Sequence, residues 1–219
     1  MRFFTRYLIF SIAILVLVAA PKSVDADLIF AAVVDGTNTG GNPKAFKLEA
    51  TSAIADLSAF FILRDTNGTT DGPFTVSSDF QLPAISLAAG EFFIVYGNAD
   101  SETLANSAGQ SLPGVVDGIA NHNGDDILAI STSLDPVDVV DAFGLLGQGD
   151  TNFAQDSLAI RNDPTPNATG VQDAGNFSMN TYSDELYFDT FVVTAVPEPA
   201  TATLFAFVGL GLCGLRRRS

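Results

Sequence analysis

The amino-acid sequence predicts an all-β body that folds as a two-layer sandwich. Short segments rich in Val, Ile, Leu and Phe recur along the chain, and turn-forming residues separate them roughly every 8 to 12 residues. No long segment has the apolar period of a helix, and we expect one short helix within residues 101–110, capped by Ser101. With 47% hydrophobic residues and 18 phenylalanines, the chain can bury a core between two sheets.

Individual strands follow from local pattern. Residues 45–49 alternate apolar and polar side chains, as a half-buried strand does. Residues 91–96 form the strongest strand, because a continuous apolar run follows the turn pair Ala89-Gly90. The other predicted strands are residues 28–34, 59–63, 74–76, 80–82, 127–130, 137–143, 157–160 and 186–193. Residues 162–182 are poor in apolar side chains and predict a long loop.

The N-terminus has the layout of a secretory signal peptide. Arg2 and Arg6 form a positive region, and the apolar run of residues 7–20 is short for a spanning helix. Small residues end the segment at Ala26, so we expect cleavage there and a signal peptide over residues 1–26. The alternative is an uncleaved N-terminal anchor.

The C-terminus has three parts that together describe a sorting signal. Two prolines hold the backbone extended around an acidic residue. The apolar run of residues 200–215 can form a helix in a bilayer, and the arginines after it stay on the cytoplasmic side. The motif and the arginine cluster consist of Val196, Pro197, Glu198, Pro199, Arg216, Arg217 and Arg218.

These ends divide the chain into four parts. They are a signal peptide (1–26), a β-sandwich (27–161), a polar loop or linker with a last strand (162–195) and a sorting signal (196–219). The single cysteine, Cys213, lies in the apolar run of the sorting signal, so we expect no disulfide framework in the body.

The body between the two ends is strongly acidic. It carries 23 of the 25 acidic residues against four positive ones, a net charge of −19. This charge excludes nucleic-acid binding and docking on an anionic membrane, both of which need Lys and Arg. It is compatible with calcium, with a cationic polymer, or with solubility through self-repulsion. The four positive residues are Lys44, Lys47, Arg64 and Arg161.

Two loops place oxygen and nitrogen ligands close together. Asp65, Asn67 and Asp71 alternate around glycines and are candidates for calcium binding, although the spacing is not that of an EF-hand. The alternative for this loop is a hairpin turn at Asn67-Gly68. The sole histidine, His122, is either a ligand or a residue beside a turn at 121–126.

Catalytic chemistry has little support in the sequence. Paired acids such as Asp138 with Asp141, or Asp184 with Glu185, are expected by chance in so acidic a chain. The chain lacks a Gly-x-Ser-x-Gly elbow, and one histidine is the only possible imidazole base. We therefore expect no catalytic residue, no cofactor site and no enzyme activity.

The tail resembles the PEP-CTERM signal that an exosortase recognises in Gram-negative bacteria. The resemblance rests on Val196-Pro197-Glu198-Pro199, the apolar run and Arg216-Arg217-Arg218. It implies that signal peptidase and the secretion machinery export the chain, that the tail anchors it transiently in the inner membrane, and that exosortase cleavage delivers the body to the cell surface or the extracellular matrix.

The body, over about residues 28–161, resembles a bacterial lamin-tail domain, which implies an immunoglobulin-like sandwich. It departs from that family at Ala31-Ala32 and Lys47, where the family often has Ser-Glu and Glu, so functions of those carboxylates are not expected. The motifs that carry the resemblance are Asn42-Pro43-Lys44-Ala45-Phe46, Asp56-Leu57-Ser58-Ala59-Phe60, Leu87-Ala88-Ala89-Gly90-Glu91, Asn123-Gly124-Asp125-Asp126, Val139-Val140-Asp141-Ala142-Phe143-Gly144 and Leu158-Ala159-Ile160-Arg161.

Together these features predict an exported, non-catalytic surface or matrix protein. Its role is structural or adhesive, in an exopolysaccharide-rich matrix or biofilm. One alternative is a calcium- or carbohydrate-binding module, which the Asn/Asp/Gly loops suggest. A second alternative is an accessory module of an extracellular hydrolase system.

Overall fold

The computed structural model describes residues 28–66, 74–107, 111–144, 153–166 and 176–191. The predicted signal peptide and sorting signal lie outside the described residues. The α-helices in the described ranges are α1 (Ala99–Asn106) and α2 (Asp184–Phe191). The strands are β1 (Leu28–Asn38), β2 (Asn42–Ala50), β3 (Phe61–Asp65), β4 (Ser78–Gln81), β5 (Phe92–Tyr96), β6 (Gly114–Val116), β7 (Ile127–Ser131), β8 (Val139–Phe143), β9 (Ser157–Arg161) and β10 (Phe177–Thr181).

The strands form two sheets. The larger sheet has the order β10-β9-β1-β2-β5-β6, and the smaller has the order β4-β3-β7-β8. Neighbouring strands are antiparallel except for the pair β5–β6, which is parallel. Strand β1 lies inside the larger sheet between β2 and β9, so the first strand of the body holds both halves of that sheet together.

The two sheets pack face to face through one apolar core. Phe30 of β1 meets Phe46 of β2 edge to face, with 5.4 Å between the ring centroids. The smaller sheet contributes Ile62, Leu128 and Phe143 to the same cluster. All five side chains are nearly or fully buried. This arrangement confirms the predicted all-β sandwich at the level of two sheets enclosing a common core.

A bulge in β1 decides which of its side chains face this core. The pairing of β1 with β2 shifts between Phe30 and Ala32, which leaves Ala31 as the extra residue. Phe30 and Val33 therefore both face the inner core, whereas Ala32 lies on the outer face of the larger sheet. Without the bulge, the alternation of strand side chains would put Val33 on the outside.

The two helices add a third layer that the sequence did not predict. On the outer face of the larger sheet, small side chains such as Ala32 and Ala45 leave room for Tyr187 and Phe191 of α2. The rings of Tyr187 and Phe191 stack with 4.7 Å between their centroids, and both residues are fully buried. The outer face therefore has its own apolar core beneath α1 and α2.

Several predicted elements need correction. The strand predicted at 186–193 is wrong, because α2 occupies Asp184–Phe191 and buries Tyr187 and Phe191 at helical spacing. The predicted loop at 162–182 contains strand β10, which pairs with β9. The short helix is confirmed as α1, but its cap is Asn98, whose side chain accepts a hydrogen bond from the Ser101 amide.

Two smaller differences concern strands. The short strand β6 was not predicted, and residues 74–76 do not form the strand expected there. Residues 136–138 form a 3-10 turn before β8, so the strand predicted at 137–143 begins at Val139. The predicted strands at 28–34, 45–49, 91–96, 127–130 and 157–160 are confirmed as β1, β2, β5, β7 and β9.

The contacts of α2 predict that this helix stabilises the fold rather than acting as a linker. Replacing Tyr187 with Ala should lower the free energy of unfolding by roughly 3 kcal/mol, because it removes a fully buried ring. Urea unfolding of the full chain measures this loss. The control is Glu185→Ala on the same helix, an exposed position where little change is expected. Equal stability of the two variants would show that α2 is dispensable.

Candidate functional site

A buried ion pair joins the two sheets. Asp141 of β8 lies in the smaller sheet and Arg161 of β9 in the larger one, and their side chains are 0% and 3% exposed. The Arg161 guanidinium donates to the Asp141 carboxylate at 2.5 Å. The same carboxylate oxygen accepts the Phe30 amide at 2.8 Å, while Arg161 Nε donates to the Phe30 carbonyl at 2.6 Å. One pair therefore connects β1, β8 and β9.

Arg161 also organises the chain that follows β9. Its guanidinium lies over the Phe177 ring of β10, 4.6 Å from the centroid. A second branch donates to the Thr165 carbonyl at 3.1 Å. The guanidinium thus donates to three separate groups and contacts an aromatic face, which its planar fork of five N–H donors allows.

A second polar cluster surrounds Lys44. The Lys44 ammonium donates to the Asp35 carboxylate at 2.7 Å and to the backbone carbonyl of His122. The Lys44 amide donates to Ser101 Oγ at 2.9 Å. Burial raises the pKa of the Asp35 carboxyl, and the Lys44 ammonium partly offsets this effect. The cluster ties strands β1 and β2 to helix α1 and to the loop that carries His122.

His122 is a core residue. It is 1% exposed, and its ring meets the Phe143 ring edge to face at 6.5 Å. The imidazole hydrogen-bonds to the Val34 backbone, while Nε2 has no partner in the described part of the chain. Burial, reinforced by the nearby charge of Lys44, lowers the pKa of His122 to about 3. The imidazole is therefore neutral at physiological pH.

Gly124 explains how the His122 loop sits so close to the rest of the fold. Its φ is +86°, a conformation that favours glycine. A Cβ at this position would lie 2.3 Å from the backbone nitrogen of Gln155. The Gly124 carbonyl instead accepts a hydrogen bond from the Ala154 amide at 3.0 Å. The loop thus rests directly on the chain that leads into β9.

Arg64 holds the other side of the same loop. Its guanidinium donates to the Asn121 carbonyl at 3.0 Å and to the Gly118 carbonyl at 3.3 Å, and its Nε donates to Ser78 Oγ at 3.2 Å. Together with Lys44, it supports both flanks of His122. Hydrogen bonds from Arg64 and Lys44 to its backbone carbonyls therefore hold the loop in place.

A groove of about 420 Å³ lies on the outer face of the larger sheet, beside the last turn of α2. Lys47 lines it and donates to the Thr190 carbonyl at 2.9 Å, while its ammonium lies 4.6 Å from the centre of the Phe92 ring. Burial lowers the pKa of Lys47, and the Glu49 carboxylate opposes this shift. Glu49 and Asp189 also line the groove.

The calcium candidates are only partly described. Asp65 is 3% exposed, and its carboxylate accepts the Thr75 amide at 3.0 Å. Asn67 and Asp71 lie outside the described residues. Strands β3 and β4 form an antiparallel hairpin joined by residues 66–77, and the turn predicted at Asn67-Gly68 lies outside the described residues. Asp65 acts in that hairpin as a hydrogen-bond acceptor near the base of the loop.

The paired acids do not face each other as catalytic pairs do. Asp138 is exposed and accepts a hydrogen bond from Ser133 at 2.7 Å, whereas Asp141 is buried against Arg161. Asp184 accepts a hydrogen bond from the Tyr182 hydroxyl at 2.5 Å, and its neighbour Glu185 is exposed. Each described member of these pairs thus has its own, separate environment.

Among the described residues, no group of three or more His, Cys, Asp or Glu side chains is positioned to hold a metal ion. The helices in these ranges are also too short or too polar to cross a bilayer. The processing residues Ala26, Val196–Pro199 and Arg216–Arg218 lie outside the described ranges.

Comparison of the chain with protein-family models, with curated proteins and with solved structures finds no match. The resemblances to a PEP-CTERM signal and to a lamin-tail domain therefore stay predictions.

The pairing of Asp141 with Arg161 was not predicted, although both residues belong to motifs of the lamin-tail resemblance. A usable signal was present: each charge lies in or at the end of an apolar strand, where an unpaired charge would be costly to bury. The groove had no such signal, because its walls come from β1, β2, β9 and α2, which are distant in sequence.

The buried ion pair predicts that removing the charge of Asp141 strongly destabilises the fold. Asp141→Asn should lower the free energy of unfolding by roughly 3 kcal/mol, because it leaves the Arg161 charge buried without its partner. Chemical denaturation of the full chain measures the effect. Asp138→Asn, an exposed neighbour, should change stability by less than about 0.5 kcal/mol. The double variant Asp141→Leu with Arg161→Met should regain much of the loss; if it does not, packing rather than charge burial dominates.

His122 predicts an acid-sensitive contribution to stability. Its folded pKa of about 3 lies below the unfolded value of 6.5, so the contribution is complete above pH 6.5 and declines as the pH falls toward 3. In that window the wild type should lose up to about 1.4 kcal/mol per pH unit more than His122→Gln. Denaturation curves across this pH range measure the difference. Identical pH profiles would contradict a buried, neutral imidazole.

Proposed function

We propose that this chain is an exported, non-catalytic β-sandwich protein that an exosortase sorts to the cell surface or the extracellular matrix. Its role there is structural or adhesive, within an exopolysaccharide-rich matrix. The observation that carries the proposal is the sequence pattern at residues 1–26 and 196–219, which is typical of transit segments and flanks a strongly acidic body.

The arrangement of charges in the body supports a structural role. Each of its four cations is engaged in holding the fold: Lys44 and Arg161 through buried carboxylates, and Lys47 and Arg64 through backbone carbonyls. Asp35 and Asp141 are buried against two of these cations, whereas other acids, such as Asp138, Glu185 and Asp189, are exposed to solvent. Such a surface favours solubility through self-repulsion in an exported chain.

The finer part of the proposal is an immunoglobulin-like body of the lamin-tail type. Its support is that Asp141 and Arg161, which come from two separate motifs of that resemblance, bind each other between the sheets. The backbone of Phe30 on the first strand completes this contact. Motif residues that meet in space in this way are consistent with one inherited architecture.

The proposed sorting predicts a defined product in the host cell. Fractionation followed by mass spectrometry should find the body outside the inner membrane, beginning near Asp27 and ending close to Val196–Pro199. Replacing Pro197, Glu198 and Pro199 with alanine should leave full-length tail attached to the inner membrane.

The control for this experiment is Glu185→Gln, which changes an exposed acid outside the tail and should leave processing intact. Recovery of the unprocessed chain in the cytoplasm alone would contradict the proposal. Normal processing of the triple alanine variant would show that the Pro-Glu-Pro motif is not what the enzyme recognises.

A further inference from the structure

Among the described residues, none covers the part of the larger sheet's outer face that forms the groove beside α2. Tyr187 and Phe191 of α2 cover Ala32 and its neighbours on the larger sheet. Toward the start of β1, the cover that the described residues provide ends at the last turn of α2. The groove begins there, with Ile29 and Ala31 of β1 and Ile160 of β9 among its aliphatic lining. Its volume of about 420 Å³ lies in the range in which proteins hold small organic ligands.

The cations that line the groove are largely occupied. Arg161 is held by Asp141, by the Phe30 carbonyl and by the Thr165 carbonyl. The Lys47 ammonium gives one hydrogen bond to the Thr190 carbonyl. An ammonium has three N–H groups, so Lys47 retains donors that a ligand can use.

The carboxylates that line the groove are available. Asp189 is exposed and Glu49 is half-buried. Neither carboxylate accepts a hydrogen bond from the described part of the chain. The groove therefore combines an aliphatic surface with two free acceptor groups and one partly used donor.

The aliphatic surface, the two carboxylates and the Lys47 ammonium together favour one class of ligand over others. An anion is disfavoured by Glu49, by Asp189 and by a body of net charge −19. An organic cation is disfavoured by the Lys47 ammonium in the same groove. A purely apolar ligand would displace water from the carboxylates. Because it could not replace the hydrogen bonds of that water, binding would carry a free-energy cost. A neutral molecule with several hydroxyl groups and an apolar face meets all of these conditions.

We infer that this groove binds a neutral carbohydrate. The C–H face of a sugar ring packs on the partly exposed Ala31 and Ile160, while its hydroxyl groups donate to Glu49 and Asp189. Lys47 donates to a further sugar hydroxyl. This inference concerns the groove itself and goes beyond the proposed sorting, because it holds whether or not an exosortase processes the chain.

Binding measurements on the purified full chain in detergent test the inference. The probes are neutral linear tetrasaccharides of glucose, mannose and galactose, with a uronic-acid tetrasaccharide and spermine as charged comparisons. Calorimetry gives affinity, and amide NMR locates the site through the resonances of Ala31, Ile160 and Asp189. At least one neutral tetrasaccharide should bind and shift these resonances, and the charged comparisons should not.

Variants make the test specific to the groove. Glu49→Gln and Asp189→Asn should each weaken binding about tenfold, the loss expected from one charge-assisted hydrogen bond. Glu185→Gln, an exposed acid of α2 that does not line the groove, should leave affinity unchanged. Melting temperatures of all three variants check that the fold is retained.

Three results would overturn the inference. The first is that no neutral tetrasaccharide shifts the groove resonances at millimolar concentration. The second is that spermine or the uronic-acid probe occupies the groove while the neutral sugars do not. The third is that neutral sugars bind with undiminished affinity to the folded Glu49→Gln and Asp189→Asn variants.

Discussion

The fold depends on a charged contact buried between its two sheets. A carboxylate and a guanidinium cannot be buried singly without a large cost, so Asp141 and Arg161 can be accommodated only where they meet. The backbone of Phe30 hydrogen-bonds to both side chains: its N–H donates to Asp141, and its C=O accepts from Arg161. Apolar packing supplies much of the stabilisation, whereas this contact fixes how β1, β8 and β9 are placed relative to one another.

Strand-level sequence patterns predicted the inner sandwich but not the layer outside it. The apolar runs that became β1, β5 and β7 carry a strong local signal, since strand length and bounding turns agree. The α2 segment is ambiguous: its aromatic residues suit a strand, and only the spacing of Tyr187 and Phe191 on one helix face favours a helix. Tertiary contact with small residues such as Ala32 decides the outcome, and a single sequence does not display that contact.

In the candidate site, too, features set by nearby residues could be predicted, whereas contacts between residues distant in sequence could not. Composition correctly indicated an acidic body with few cations, but where each cation binds depends on the folded chain. Lys47 and Arg64 both bind backbone carbonyls, a partner that no residue pattern encodes. Asp65 likewise binds the backbone amide of Thr75, a partner that the local spacing of the calcium candidates does not indicate. The groove combines four elements and could be recognised only in three dimensions.

Amide hydrogen exchange at Phe30 tests most directly whether the buried pair fixes the junction between the sheets. The Phe30 amide donates to the Asp141 carboxylate at 2.8 Å, at the point where β1 bulges away from regular pairing. If the contact is as tight as described, this amide should exchange only through global unfolding, with the same free energy of opening as the amide of Ile130 in β7. Exchange of Phe30 that is orders of magnitude faster, through local opening, would contradict the account.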